Sequence, residues 1–218
     1  MKKPRLLDLF CGAGGASMGY HRAGFEVVGV DVNPQKNYPF EFHQADALTY
    51  PLEGFDAIHA SPPCQAFCAG FVPNRERHAD LIHQTRERLN TTGIPWVIEN
   101  VRRAPIRADF ILFGWMFGLP LERRRHFETN WEGMDMSPGR SHFGPTVCIA
   151  GRGTPTGTYK RLGRALTIKE KQDAMGIDWC STKGLAQAIP PAYTEFIGKA
   201  LISMLTNGKS PPATGTRG

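Results

Sequence analysis

The sequence is short of everything that would make a cross-linked, membrane-embedded or repetitive protein. Its five cysteines are odd in number and form no CxxC pair, which argues against a disulfide framework and against a zinc site of the common kind. The thiols are expected to be reduced, and no metal is expected. No stretch nears the ~18 consecutive apolar residues of a membrane span. The opening MKKPRLLDLF lacks the long apolar run and small-residue cleavage site of a secretory signal. No segment repeats. These absences predict a soluble, cytoplasmic protein with no membrane partner, and 218 residues leave room for one α/β domain but little for a second.

What is present begins with charge. The formal net charge is +6 and the pI about 9.2, which suits a polyanionic partner. The excess is local. Residues 101 to 164 carry eleven basic side chains against five acidic ones, and the rest of the chain is balanced at 15 against 15.

The pattern along the chain is strand, turn, helix, strand. RLLDLF ends in a Gly-rich turn, CGAGGAS, followed by a helix over Met18 to Ala23 and a second β-type run, FEVVGVD. The theme returns with FDAIHA, a loop opening at SPPCQ, a helical stretch with Leu81, Ile82, Thr85 and Leu89 on one face, and PWVIEN. Such alternation predicts a doubly wound, mostly parallel sheet covered on both sides. Beyond residue 105 the pattern loosens, and Met134 to Gly163 reads as loops with room for a small hairpin. TIKEKQDAMG is read as a helix. Another starts at Pro190-Pro191, where Tyr193, Phe196, Ile197, Ala200, Leu201 and Met204 recur at helical spacing. The tail from residue 206 has a disordered composition.

Ligands in a doubly wound sheet bind beyond the carboxyl ends of the strands. Unusual residues stand at those ends: Phe10 to Gly15, Asp31, Ser61-Pro62-Pro63-Cys64-Gln65 and Glu99-Asn100. A Gly-rich turn admits a ligand close to the backbone, and an acid ending the second strand accepts hydrogen bonds from ribose hydroxyls. GAGGAS lacks the GxGxxG spacing that seats a pyrophosphate, leaving a smaller nucleoside cofactor such as S-adenosylmethionine. A cysteine alone is more often a small buried residue than a nucleophile. Beside a rigid proline pair and a cofactor turn, Cys64 becomes a candidate for covalent catalysis. Glu99, leaving an apolar strand, is a candidate acid with a pKa raised by burial.

Taken together, these residues resemble the DNA cytosine-5 methyltransferase family, through most of the chain and in the family's motif order. DLFCGAGGASMGYHRAGFEVVGVDVNP is similar to the two cofactor motifs, SPPCQAF to the catalytic cysteine motif and IENV to the glutamate motif. ERRRHF is similar to the arginine motif, and RALTIKEKQDAMGIDW and AIPPAYTEFIG to the closing pair. The resemblance implies a Rossmann-like, S-adenosylmethionine-dependent methyltransferase fold. In it Cys64 is the nucleophile, Glu99 the acid at N3 and the amino group of cytosine, and Arg125 the donor to the ring carbonyl, with Arg123 in support. Phe10, Gly12, Gly14, Asp31, Asp46 and Pro63 would line the cofactor site, Asp31 on the ribose and Asp46 near the adenine amine. The partner implied is cytosine-containing duplex DNA, its base flipped out of the stack.

Three positions depart from the family pattern. Leu121 stands in place of a glutamine, Cys68 in place of a serine after PCQxF, and Gln187 in place of an asparagine. The interval that normally holds a DNA-reading domain is reduced to about residues 128 to 163, a loop-rich insertion within a catalytic domain of residues 1 to 205. The implied specificity is therefore short or relaxed, or supplied by a partner protein. Two alternatives stay open at this point: cytosine methylation in RNA or a free nucleotide, and a non-catalytic nucleic-acid binding module. Intact Cys64, Glu99 and Arg125 count against the second.

Overall fold

The computed structural model describes residues 2–68, 79–131, 146–149, 158 and 162–207. Seven strands form one sheet in the order β3-β2-β1-β4-β5-β7-β6: β1 (Arg5–Leu9), β2 (Glu26–Asp31), β3 (Glu41–Gln44), β4 (Ala57–Ala60), β5 (Trp96–Asn100), β6 (Phe110–Leu112) and β7 (Arg125–Thr129). The first five run parallel, while β7 is antiparallel to both β5 and β6. Among the described residues the helices are α1 (Gly15–Ala23), α2 (Ile82–Asn90), α3 (Ile168–Met175), α4 (Thr182–Gln187) and α5 (Pro191–Thr206). The doubly wound, mostly parallel sheet expected from the sequence is what forms.

Each central strand is apolar on both faces because both are covered. Leu6, Val27, Ala57 and Val97 point to one side, where Tyr20 of α1 and Tyr193, Ile197 and Leu201 of α5 close over them. Leu7, Val28, Ile58 and Ile98 point to the other, against Leu89 of α2. Removing such side chains from water contributes roughly 1.5–3 kcal/mol each. Helix α5 can lie close on α1 because the contact is lined by small groups. A Cβ on Gly19 would sit 2.0 Å from the Thr194 hydroxyl, and one on Gly198 would sit 2.6 Å from Ala23 Cβ.

Five elements differ from the sequence reading. Helix α1 starts at Gly15 rather than Met18, because Gly14 caps it in the left-handed conformation, φ 80°. Strands β6 and β7 and helix α4 lie where the pattern had seemed to loosen. Helix α5 reaches Thr206, one residue into the expected tail; residues 208 onward fall outside the described residues. So does most of the insertion, including Arg140, Arg152, Tyr159, Lys160 and Arg161.

A third, smaller cluster joins Leu121, Met175, Ile177 and Leu185. Leu121 is 1 % exposed, so the leucine in place of a glutamine is an apolar core residue here. Helix α3 is opened by a capping box between Thr167 and Glu170, which satisfies backbone donors that a helix start leaves unpaired.

Candidate active site

The parallel strands deliver their carboxyl ends to one edge, and the turns leaving that edge build the site. Strand β1 ends at Phe10, which takes a positive φ of 57°, rare for a residue with a side chain. Gly12 follows at φ 49°, and a Cβ there would meet nothing within 4 Å. The turn thus opens onto free space. Gly14 serves another purpose: a Cβ would lie 2.9 Å from the Tyr38 ring, so its bareness admits a packed aromatic. Asp31, ending β2, accepts from the Gly12 N–H at 3.1 Å and the Asn33 N–H at 2.8 Å. Asp46 is brought alongside by the Ala45 N–H to Asp31 carbonyl bond of 3.1 Å, while its own carboxylate takes the Leu48 N–H at 2.9 Å. An open glycine turn beside an anchored carboxylate fits a nucleoside carrying ribose hydroxyls.

The loop after β4 is tied down on both sides. Ser61 N–H donates to the Leu9 carbonyl at 3.1 Å, and the Asn100 side chain donates to the Pro62 carbonyl at 2.9 Å. Pro63 is therefore held next to the β1 turn, and Cys64 opens a short 3-10 turn, Gln65–Phe67. The Cys64 and Cys68 sulfurs are 3.7 Å apart. Burial pushes the Cys64 thiol up to about 12, with Cys68 and Glu99 adding to the rise and Arg125 opposing it.

Glu99 is buried near the end of β5, and Arg125 begins the antiparallel neighbour β7. Because β7 runs the other way, its start lies at the carboxyl end of β5, and the Arg125 Nε meets Glu99 Oε1 at 2.8 Å. Burial raises the Glu99 pKa, while Arg125, a hydrogen bond from Ser61 and Arg123 hold the rise down. Cys64 from the loop after β4, Glu99 from β5 and Arg125 from β7 thus converge.

Arg123 takes a use the sequence reading did not foresee. Its guanidinium donates to the carbonyls of Ala186 at 2.7 Å and Ala188 at 2.9 Å, clamping the connection between α4 and α5. Its own carbonyl accepts from Tyr193 at 2.9 Å. Burial lowers its pKa to about 9. Support for Arg125 is thus indirect, through the loop both residues share.

Sequence reading also passed over His59, a histidine inside the apolar run FDAIHA. It is fully buried, meets the Tyr20 hydroxyl at Nδ1 at 2.9 Å and the Ser61 hydroxyl at Nε2 at 2.9 Å. A polar residue within an otherwise apolar strand was the signal available.

Residues 4–103, which carry Cys64 and Glu99, match the family model described as C-5 cytosine-specific DNA methylase. Among solved structures, one titled a DNA modification methyltransferase encoded within an E. coli prophage superposes with a TM-score of 0.66. It is 15% identical, over 93% of this chain and 99% of that one. Dnmt2 methyltransferase of S. pombe gives 0.62 at 15% identity, and a triple mutant of Spodoptera frugiperda DNMT2 gives 0.62 at 14%, each over the same shares. At these identities the likeness speaks to fold. No curated protein matches the chain. Over residues 4–103, just under half of its length, the chain is thus similar to the C-5 cytosine-specific DNA methylases, and its fold is that of the structures named.

Proposed function

We propose that this protein transfers a methyl group from S-adenosylmethionine to carbon 5 of cytosine in DNA, through a covalent Cys64 adduct and at a short or relaxed target site. The observation that carries the reading is the convergence of Cys64, Glu99 and Arg125 beside the open Gly12 turn and the anchored Asp31. Phe10, Gly12, Asp31, Asp46 and Pro63 would hold the cofactor, which when bound supplies an electrophilic methyl group.

The chain's own residues answer the difficulty of the substrate. Carbon 5 of cytosine is a poor nucleophile until the ring is disturbed, and addition of the Cys64 sulfur to carbon 6 pushes electron density onto it. Glu99, its pKa raised by burial, protonates or hydrogen-bonds N3 and so accepts the charge that this addition sends into the ring. Arg125 keeps the Glu99 carboxyl oriented and offers guanidinium donors to the ring carbonyl. After methylation, water takes the carbon 5 proton, the freed electron pair re-forms the 5,6 double bond as the carbon 6–sulfur bond breaks, N3 returns its proton to Glu99, and Cys64 leaves as the thiolate. The thiolate is needed only once the target ring is bound, and Arg125, already near, lowers the cost of forming it. With so short an insertion between the arginine motif and α3, few side chains remain to read base edges, which favours a short site or a partner protein that reads it.

Transfer of tritiated methyl groups to duplex DNA, single-stranded DNA, transfer RNA and free dCMP tests the proposal, with Cys64→Ala as control. Label in DNA that the control abolishes is expected. Label confined to RNA or nucleotide would reassign the substrate, and label that survives Cys64→Ala would remove the covalent step.

A further inference from the structure

On the face of the sheet covered by α1, the parity of β4 places His59 and Ser61 on the same side as Glu99 of β5. Two hydrogen bonds then run in line toward Glu99. The Tyr20 hydroxyl meets His59 Nδ1 at 2.9 Å and His59 Nε2 meets the Ser61 hydroxyl at 2.9 Å, and Ser61 faces the Glu99 carboxyl and helps hold its pKa down. Tyr20 and His59 are both 0 % exposed, so bulk water does not reach their hydrogen bond, while Ser61 is half-buried.

The string has a direction because of its far end. The Tyr20 ring is enclosed by Phe25 and His59, and His59 Nδ1 is the acceptor that lies within reach of its hydroxyl among the described residues. Were Nδ1 protonated, the phenol hydrogen would be buried without an acceptor, which is costly. Tyr20 is therefore the donor, and His59 carries its single proton on Nε2. That proton goes to Ser61, and the Ser61 hydroxyl is left to donate to Glu99. Burial holds His59 neutral, lowering its pKa to about 3, and keeps the phenol un-ionised.

We propose that Tyr20, His59 and Ser61 are positioning residues that make Ser61 a fixed donor to Glu99, so that the carboxyl proton is kept for the side facing the target ring. The proposal rests on the reading of Glu99 as the acid that contacts that ring. The other titratable groups facing Glu99 are Asp8 of β1, Cys64 after β4, Arg123 and Arg125 at β7 and Tyr193 of α5. None of them hydrogen-bonds the string, which lets its contribution be separated from theirs.

The test uses nitrogen-15 histidine and carbon-13 glutamate labels in the whole protein, read by NMR, with His59→Gln and Glu99→Gln assigning the signals. In the wild type, His59 is expected as the Nε2–H tautomer with an accepting Nδ1, across the pH range of the fold. In Tyr20→Phe that preference should be lost. The Glu99 titration midpoint should rise, by about one unit in Ser61→Ala and by less in Tyr20→Phe, as the ionised carboxyl loses a donor. The pH limb of methyl transfer should move with it. An Nδ1–H tautomer in the wild type, or a Glu99 midpoint unmoved in Ser61→Ala, overturns the proposal. The wild-type tautomer and Ser61→Ala decide the matter even if Tyr20→Phe does not fold. Should tautomer and midpoint behave as expected while no nucleic acid is methylated, the string stands and the reading of the reaction falls.

Discussion

At the scale of single residues, the site combines groups held in unreactive forms with groups already engaged. Cys64 is the clearest case. With its thiol pushed up to about 12, alkylation of the Cys64 peptide by iodoacetamide should climb roughly tenfold per pH unit through the range where an ordinary cysteine levels off. In Cys68→Ala the climb should bend at lower pH, because Cys68 contributes both a nearby charge and a hydrogen bond to the rise. A plateau near the ordinary thiol range in the wild type would show that Cys64 is not buried as described. Asp31 is engaged differently, its oxygens taking the N–H groups of Gly12 and Asn33. Asp31→Ala therefore removes an anchor of the turn together with the proposed ribose acceptor, and should weaken S-adenosylmethionine binding at least about tenfold by calorimetry. Unchanged affinity would detach Asp31 from the cofactor.

At the scale of elements, the contact of α1 with α5 depends on the lack of a side chain. Gly19→Ala would push a methyl group onto the Thr194 hydroxyl and the Pro191 carbonyl, 2.0 and 2.1 Å away. Overpacking of this kind costs about 1–3 kcal/mol and should appear as a lowered urea midpoint. Elements of this sort differ in how far the sequence announces them. Strands β1, β2, β4 and β5 were legible because each is an apolar run covered on both faces, and α2 and α5 because Ile82, Thr85, Leu89 and Tyr193, Ile197, Leu201 keep the period of one helical face. Strand β3, EFHQ, has no such run, since it lies at the sheet edge. Strand β6, at three residues, and the six-residue α4 are too short to show a period, and β7, RHFET, is broken up by Arg125, His126 and Glu128 and makes no apolar run. In the site, Cys64, Glu99 and Arg125 were legible as motifs. The clamp of Arg123 was not, because its acceptors lie 62 to 65 positions away in the chain, and no local pattern encodes so distant a partner.

At the scale of the whole molecule, two fully buried titratable side chains face each other across β1 and β4, where Asp8 is the register partner of His59. Burial raises Asp8 to about 7 and lowers His59 to about 3. A carboxyl raised on folding supports the fold below its ordinary value and withdraws that support as pH climbs toward 7. An imidazole lowered on folding is harmless above its ordinary value and opposes the fold as pH falls toward 3. Between about pH 4 and 6.5 the two slopes run in opposite senses and offset each other. Asp8→Asn should expose the imbalance: urea midpoints should show the variant gaining on the wild type by on the order of 3 kcal/mol between about pH 5 and pH 8. A constant difference would mean that Asp8 does not titrate in that window. The Gly-rich turn, finally, is secured from far downstream. The Trp179 indole donates to the Ala13 carbonyl at 2.8 Å and the Thr194 hydroxyl to the Ala16 carbonyl at 2.8 Å, across 166 and 178 positions. During synthesis on a ribosome the turn encoded first is thus finished last, and a nascent chain ending before Trp179 would hold it by Asp31 alone, without the two downstream bonds.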